Sequence, residues 1–198
     1  MFITIGKTIR IAMVSESYEM IFFGRGGQGA VTAAQIMALA AVGKGLYALA
    51  YPEFGPERRG APVRSYLAIS TEPIEVREPI EEPNISIVFG PDLLRVNPEI
   101  PERTRDYIIV NSRRFETVEP YLRGFRDGIV HINAYDLSTK YLGKAIVNTA
   151  MLGALLKVFD ALTVDDVAQA TMKVFGGRLG KVNAELIRIA YNEARVIR

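Results

Sequence analysis

Phe22-Phe23-Gly24-Arg25-Gly26-Gly27-Gln28-Gly29-Ala30 sets four glycines between an apolar run and an alanine-rich one. Glycine admits left-handed backbone angles and close approach. A helix opening after such a turn offers unpaired N–H groups and the positive end of its dipole to a phosphate. Gly24, Gly26 and Gly29 also match the dinucleotide spacing G-x-G-x-x-G, which further expects an acidic residue about 20 positions on. Glu53, displaced by Pro52, is the candidate for that residue. A second cluster spans residues 51–64, where Arg58 and Arg59 stand beside Glu53 and Glu57. One guanidinium would grip a phosphate or carboxylate while the other pairs with Glu53 or Glu57. Tyr51 and Phe54 beside these charges have the make-up of interface anchors. The plain alternatives are a tight strand-to-helix turn for the glycines and surface ion pairs for the arginines. His131 titrates near pH 6.5 when unperturbed, and with no partner identifiable it reads as a hydrogen-bonded structural residue. Asn148, in an apolar stretch, reads as a satisfied buried amide.

Both clusters must be held by a scaffold, and apolar runs alternating with helical patterns predict an α/β fold: three layers, αβα, around a largely parallel, Rossmann-like sheet. Strands are expected over residues 19–23, 46–51, 62–69, 85–89, 107–110 and 129–132. Four of them, 20–23, 85–89, 107–110 and 129–132, are almost wholly apolar, as strands covered on both faces are. Residues 62–69 alternate instead, with Val63, Ser65, Leu67 and Ile69 on one side, and read as an edge or antiparallel strand. Helices are expected over 28–41, over 144–159, from Thr163 with Asp165 and Asp166 in the first turn, and over 181–195. The 144–159 helix is apolar all round and belongs at the centre of the fold or in an interface. Residues 72–83, with five glutamates and three prolines, form a surface connector.

Composition narrows the chemistry. The chain has 198 residues, 24 basic and 22 acidic side chains, no cysteine and one histidine. Without cysteine it has no thiolate nucleophile, no disulfide and no ordinary iron–sulfur ligation. One histidine excludes a two-histidine metal site and a cysteine–histidine triad. A net charge of +2 is too small for counterion-release binding, so neither nucleic acid nor membrane is an expected partner. No run approaches a membrane span and the first residues lack a secretory signal, so the chain reads as cytoplasmic.

Three stretches together resemble the gamma subunits of the 2-oxoacid:ferredoxin oxidoreductase family, in particular its pyruvate (pyruvate synthase) branch. They are Gly24-Arg25-Gly26-Gly27-Gln28-Gly29-Ala30-Val31-Thr32-Ala33-Ala34, Pro52-Glu53-Phe54-Gly55-Pro56-Glu57-Arg58-Arg59-Gly60-Ala61-Pro62-Val63, and Asn148-Thr149-Ala150-Met151-Leu152-Gly153-Ala154-Leu155. The resemblance implies one subunit of an assembly that oxidatively decarboxylates pyruvate or a related 2-oxo acid. The acyl group goes to coenzyme A and the electrons go to ferredoxin. It implies thiamine diphosphate, Mg2+ and [4Fe-4S] clusters on alpha, beta and delta subunits, since this chain has no motif for them. Within such an assembly, loop position and charge point this chain to a structural role and to contact with the phosphates of coenzyme A through Gly24, Arg25, Gly26, Gly27, Gln28, Gly29, Glu57, Arg58 and Arg59. No catalytic residue or metal ligand is assigned. The 2-oxoisovalerate enzyme is an alternative substrate branch. The 2-oxoglutarate branch, which usually reads closer to Glu-Ala-Arg-Gly-Gly, is another. An independent NAD(P)-binding oxidoreductase and a pure scaffold are rivals of other classes.

Residues 1–18 read as an extension before a single domain over 19–198, with Met13 or Met20 as alternative starts. Asn84 and Gly90 stand where the family pattern leads one to expect aspartates, which puts a polar role for that strand edge in question.

Overall fold

The computed structural model describes residues 17–53, 60–75 and 79–197. Residues 1–16 of the expected extension over 1–18, and Phe54, Glu57, Arg58 and Arg59, lie outside the described residues, while Ser17 and Tyr18, expected in that extension, open the first strand by pairing with Ser70 and Ile69. In chain order the elements are β1 (Ser17–Arg25), α1 (Ala30–Gly43), β2 (Tyr47–Glu53), β3 (Pro62–Ser70), β4 (Ile85–Val88), α2 (Pro91–Val96), α3 (Ile100–Arg103), β5 (Tyr107–Asn111), β6 (Gly128–Ile132), α4 (Ala134–Leu142), α5 (Asn148–Leu155), α6 (Val164–Phe175), α7 (Gly177–Glu193) and β7 (Arg195–Val196). Two 3-10 turns, Phe115–Thr117 and Glu119–Leu122, link β5 to β6.

The strands form one sheet in the order β2-β3-β1-β4-β5-β6-β7. The four apolar strands are its centre, with β1, β4, β5 and β6 mutually parallel. Every residue of β4 and β5 is buried, as strands covered on both faces require. Outside that centre the pairing turns antiparallel: β3 beside β1, β2 beside β3, and β7 beside β6. The alternating stretch 62–69 is thus an antiparallel strand, but an interior one, and β2 takes the edge.

The long helices share one face. α1 lies on β1, β2 and β3, α5 lies on β5 and β6, and α6 and α7 close over them. Tyr18 meets Phe159 and Phe22 meets Phe89 edge to face on this side, at centroid distances of 5.6 and 6.5 Å. The opposite face receives shorter pieces, where Ser86 Oγ lies 2.6 Å from Thr104 Oγ1 at the end of α3. Among the described residues no helix is long and apolar enough to cross a membrane.

α1 starts two residues later than expected, at Ala30, because Gly29 holds a left-handed backbone with φ of 87°. The 144–159 helix is shorter, Asn148–Leu155, and tighter i→i+3 bonds carry the chain on through Lys157 and Val158. All eight of its residues are buried within the chain, so the position is central. α4 is absent from the expected helices: it is short, and only Ala134 and Ser138 of it are buried. Its signal is the cap: Asn133 Oδ1 accepts from the Asp136 N–H at 3.2 Å, and Asp136 Oδ2 accepts from Asn133 Nδ2 at 2.8 Å. β7, two exposed residues long, carries no readable pattern.

The α5–α7 contact has no room to spare. A Cβ on Gly153 would come within 2.4 Å of the Ile187 carbonyl oxygen and 2.8 Å of the Tyr191 nitrogen, both backbone. Gly153→Ala is therefore expected to cost about 1–3 kcal/mol by forcing the helices apart, read as a lower Tm in calorimetry. Thr163 and Asp166 close a capping box at α6. Partial burial disfavours the Asp166 carboxylate, but Lys44 Nζ at 2.9 Å and the Thr163 N–H and hydroxyl outweigh it and hold the carboxyl below its usual range. A carboxyl lowered only in the folded state stabilises above its unfolded pKa and loses that contribution as pH falls through the lowered one. Thr163→Ala is expected to cost about 1 kcal/mol at neutral pH and less in acid, measured by urea unfolding at both.

Candidate functional site

Strand order reverses at the β1–β4 boundary: from β1 the chain moves to β3 and β2, from β4 to β5 and β6. Crevices at the carboxyl ends of strands beside such a switch point are where open α/β sheets bind ligands. The glycine turn lies there. Gly24, at the end of β1, leaves no space for a side chain, since its Cβ would sit 2.7 Å from the Ala30 Cβ. α1 consequently descends directly onto the strand. Gln28 closes the turn by donating its N–H to the Arg25 carbonyl at 3.0 Å, and its Oε1 accepts from the Arg25 N–H at 2.8 Å. Gly26 donates to the Ala61 carbonyl at 3.0 Å, tying the turn to the start of β3.

The turn leaves its helix uncapped. Gly29 has no side chain to cap α1, and the first turn of α1 holds no acidic residue. Among the described residues no acceptor takes the N–H groups of Gly27, Gly29 or Ala30. α5 begins at the same place: Asn148 packs so closely on Gly29 that a Cβ there would meet Asn148 Nδ2 at 2.7 Å. Its first turn also lacks an acid, and the N-cap Val147 contributes no side-chain bond. Asn148 Oδ1 accepts the Thr149 N–H at 2.8 Å. Two helix N-termini, each about half a positive charge, thus converge at the switch point.

Residues that follow β4 and β6, with Asn111 at the end of β5, complete the rim. A Cβ on Gly90 would lie 2.8 Å from the Tyr135 hydroxyl and 2.9 Å from Asp92 Oδ1, so a side chain there would have to displace the tips of both. Burial raises the Tyr135 pKa, reinforced by Asp92 and opposed by Arg113 and Arg25, so the phenol stays protonated. Buried Asn111 joins the strand ends, donating to the Phe89 carbonyl and accepting from the Ala134 N–H, both at 2.9 Å. At the other end of the sheet Asn84 accepts from the Glu19 N–H and donates to Asp106 Oδ2, each at 3.0 Å. An aspartate could not donate there, which accounts for the amide.

The structure brings Gly24, Arg25, Gly26, Gly27, Gln28 and Gly29 together at the edge and adds Asp92, Tyr135 and Asn148. Arg25 Nε lies 2.6 Å and Nη2 2.5 Å from Asp92 Oδ2, and Nη1 donates to the Gly60 carbonyl at 2.8 Å. Glu53 stands apart. It ends the outer strand β2, separated from β1 by β3, and accepts the Tyr66 hydroxyl at 2.5 Å. Burial first and Glu53 second push the Tyr66 pKa up to about 12. A ribose-binding acid belongs on the strand next to β1, and this one is engaged elsewhere. Tyr51 is no exposed anchor but is half-buried and stacked on Tyr66, centroids 5.0 Å apart. A cavity of about 160 Å³ opens on the other sheet face between Arg64, Tyr66 and Glu99, away from the turn.

His131 Nε2 lies 2.9 Å from Ser112 Oγ and 3.0 Å from the Ser112 carbonyl. Ser112 Oγ donates to the Arg114 carbonyl at 2.8 Å, so its proton is already committed and the pair is structural. Burial, chiefly, lowers the His131 pKa. Among the described residues no group of three or more His, Asp or Glu side chains is placed to hold a metal ion. Asp92 escaped sequence reasoning, though Gly90-Pro91-Asp92 after an apolar strand is a legible helix start with an acid in its first turn. Tyr135 arrives by tertiary packing alone, and packing joins Asn148, which opens one of the family-like stretches, to the turn.

The family described as pyruvate ferredoxin/flavodoxin oxidoreductase matches residues 19–193. The "pyruvate/ketoisovalerate oxidoreductases common subunit gamma" of Pyrococcus furiosus is 38% identical over 180 residues, 90% of this chain and 97% of that protein. The "pyruvate synthase subunit PorC" of Methanocaldococcus jannaschii is 40% identical over 175 residues, 88% of this chain and 96% of its own. Among solved structures, pyruvate oxidoreductase subunit PORC of Thermotoga maritima superposes with a TM-score of 0.82 at 31% identity, covering 93% of this chain and all of that one. The 2-oxoglutarate:ferredoxin oxidoreductase of Magnetococcus marinus, solved with 2-oxoglutarate, coenzyme A and succinyl-CoA bound, shares the fold. Its TM-score is 0.71 at 14% identity, over 90% of this chain and 31% of that one.

Two glycines of the turn separate backbone strain from contact. Gly27 and Gly29 both have left-handed φ, at 96° and 87°, but a Cβ on Gly27 meets nothing within 4 Å. Gly29→Ala is expected to destabilise by at least about 1 kcal/mol more than Gly27→Ala, the difference being the displaced Asn148 and α5. Paired denaturant titrations measure it.

Proposed function

The chain belongs to the pyruvate ferredoxin/flavodoxin oxidoreductase family, and from that premise we propose that it offers its glycine turn to the phosphates of coenzyme A within a 2-oxoacid:ferredoxin oxidoreductase. It is a gamma-type subunit of such an enzyme, as its relatives are. The cofactors of the reaction reside on other subunits of the complex. Thiamine diphosphate with Mg2+ supplies the acyl carbanion chemistry, [4Fe-4S] clusters carry the electrons to ferredoxin, and alpha, beta and delta subunits hold these groups in the cytoplasm. This chain, without cysteine, has no thiolate for a cluster. Its own part is to shape a single domain over residues 19–198 around the carboxyl edge.

One observation carries the coenzyme A reading: the uncapped N-termini of α1 and α5 meet at Gly29. In the same chain α6 closes its own N-terminus with Thr163 and Asp166. An anion seated at the switch point would take the N–H groups of Gly27, Gly29 and Ala30, and coenzyme A carries phosphates. Arg58 and Arg59 precede Gly60 in the sequence, and their guanidinium groups supply charged partners for the same phosphates. Coenzyme A bound to the Magnetococcus marinus enzyme supports that ligand class. Pyruvate is the substrate the closer relatives favour. A gamma subunit named as common to pyruvate and ketoisovalerate enzymes supports the 2-oxo acid pocket lying on other subunits.

In the assembled enzyme, Gly26→Val and Arg59→Ala are each expected to raise KM for coenzyme A about tenfold, the loss of about 1.4 kcal/mol of charge-assisted binding. The constant for the 2-oxo acid and the iron content should stay unchanged. A KM for coenzyme A that does not move in either variant overturns the reading. Native mass spectrometry of the tagged chain purified anaerobically should show larger subunits, a small iron–sulfur chain and thiamine diphosphate. A lone chain carrying a nicotinamide nucleotide would instead establish an independent oxidoreductase.

A further inference from the structure

Arg25 is the one cation inside the glycine turn, and its charge looks available for phosphate until its partners are counted. Nε and Nη2 both address Asp92 Oδ2, at 2.6 and 2.5 Å, and Nη1 is 2.8 Å from the Gly60 carbonyl. Its backbone N–H goes to Gln28 Oε1 and its carbonyl receives the Gln28 N–H. Every edge of the guanidinium that the structure uses faces protein. The Arg25 and Asp92 side chains are only 32% and 39% exposed, half withdrawn from solvent.

We propose that Arg25 is a positioning residue and not a phosphate ligand: Asp92 aims its guanidinium at the Gly60 carbonyl, and this holds Gly60 and the entry to β3 against the glycine turn. The proposal rests on the coenzyme A reading for its kinetic consequence, though the latch itself is a matter of geometry. Three elements meet at it: the end of β1, the first turn of α2, and the return of the chain into β3. A second tie, the Gly26 N–H on the Ala61 carbonyl at 3.0 Å, lies beside the first. The charges fit the role. A bare cation five residues before α1 would face the positive end of that helix, and Asp92 neutralises it there. Partly exposed pairs of this kind add little stability, so the effect to look for is on geometry.

The two roles predict opposite signs. Were Arg25 a phosphate ligand, removing its carboxylate partner would release its charge, and Asp92→Asn would lower KM for coenzyme A. As a positioning pair, Asp92→Asn should raise that KM about three- to tenfold with kcat and iron content unchanged, and Asp92→Glu should restore it. Arg25→Lys, which cannot span both partners, should match Asp92→Asn, and the double variant should be no worse than either single one. Hydrogen exchange on the assembled enzyme without coenzyme A should show faster exchange at Gly26 and residues 60–63 in Asp92→Asn. A lowered or unmoved KM, while Arg59→Ala raises it, overturns the latch. If Arg59→Ala leaves KM unmoved, the coenzyme A reading falls and exchange alone decides: acceleration at Gly26 sustains the latch, and unchanged exchange overturns it.

Discussion

The contact between Gly24 and Ala30 governs everything at the carboxyl edge. With 2.7 Å between the Ala30 methyl and the place a Cβ on Gly24 would take, α1 can leave β1 only because one side chain is absent and the other is a single methyl. That approach sets the height at which α1 begins, and hence where its unpaired N–H groups open. It also sets where Gly29 must be for Asn148 to close upon it. The small residues of α1, with Ala33, Ala34, Ala40 and Ala41 all buried, continue the same close approach along the strand. A helix seated this low packs by shape more than by bulk, and interiors so close to crystal density tolerate no extra methylene at the contact.

Packing and electrostatics are coupled through this geometry. The sheet buries no charge at its centre, so the fields that matter come from helix ends and from the few ionised groups on the rim. Asp92 on α2 and the hydroxyl of Tyr135 at the start of α4 crowd Gly90 and close the crevice laterally. The acid serves Arg25 and leaves the ends of α1 and α5 uncompensated. The chain thereby keeps a localised positive field at the switch point while its net charge is only +2.

Sequence reasoning reached the scaffold further than the site. The four strands buried on both faces are legible because burial on two sides removes polar residues and leaves continuous apolar runs such as Tyr107-Ile108-Ile109-Val110. The capping box at Thr163 is legible because it is local. Sheet order is not, since nothing in residues 46–51 tells that β3 lies between them and β1. That one displacement is what removes Glu53 from any ribose role. At the site the glycines are visible through their spacing, whereas Asn148, over 100 positions on, becomes relevant only through contact with Gly29. Arg25 is visible as a cation in the turn, whereas its bonds to Asp92 and to the Gly60 carbonyl are not legible from the sequence.

The antiparallel pairing of β2 with β3 bears on how such subunits diverge. Glu53 and Arg64 are the last partners of that ladder, so the intervening segment starts and ends on adjacent strands about 4.8 Å apart. A crossover between parallel strands must span a helix and cannot change length without moving it. A segment returning between hairpin neighbours can be lengthened, shortened or exchanged at a closure cost of about 0.6 kcal/mol per doubling. Selection can therefore rewrite the arginine-bearing segment for a new partner or acyl carrier while the helices and the central sheet stay where they are, making it the natural seat of evolutionary tinkering in this fold.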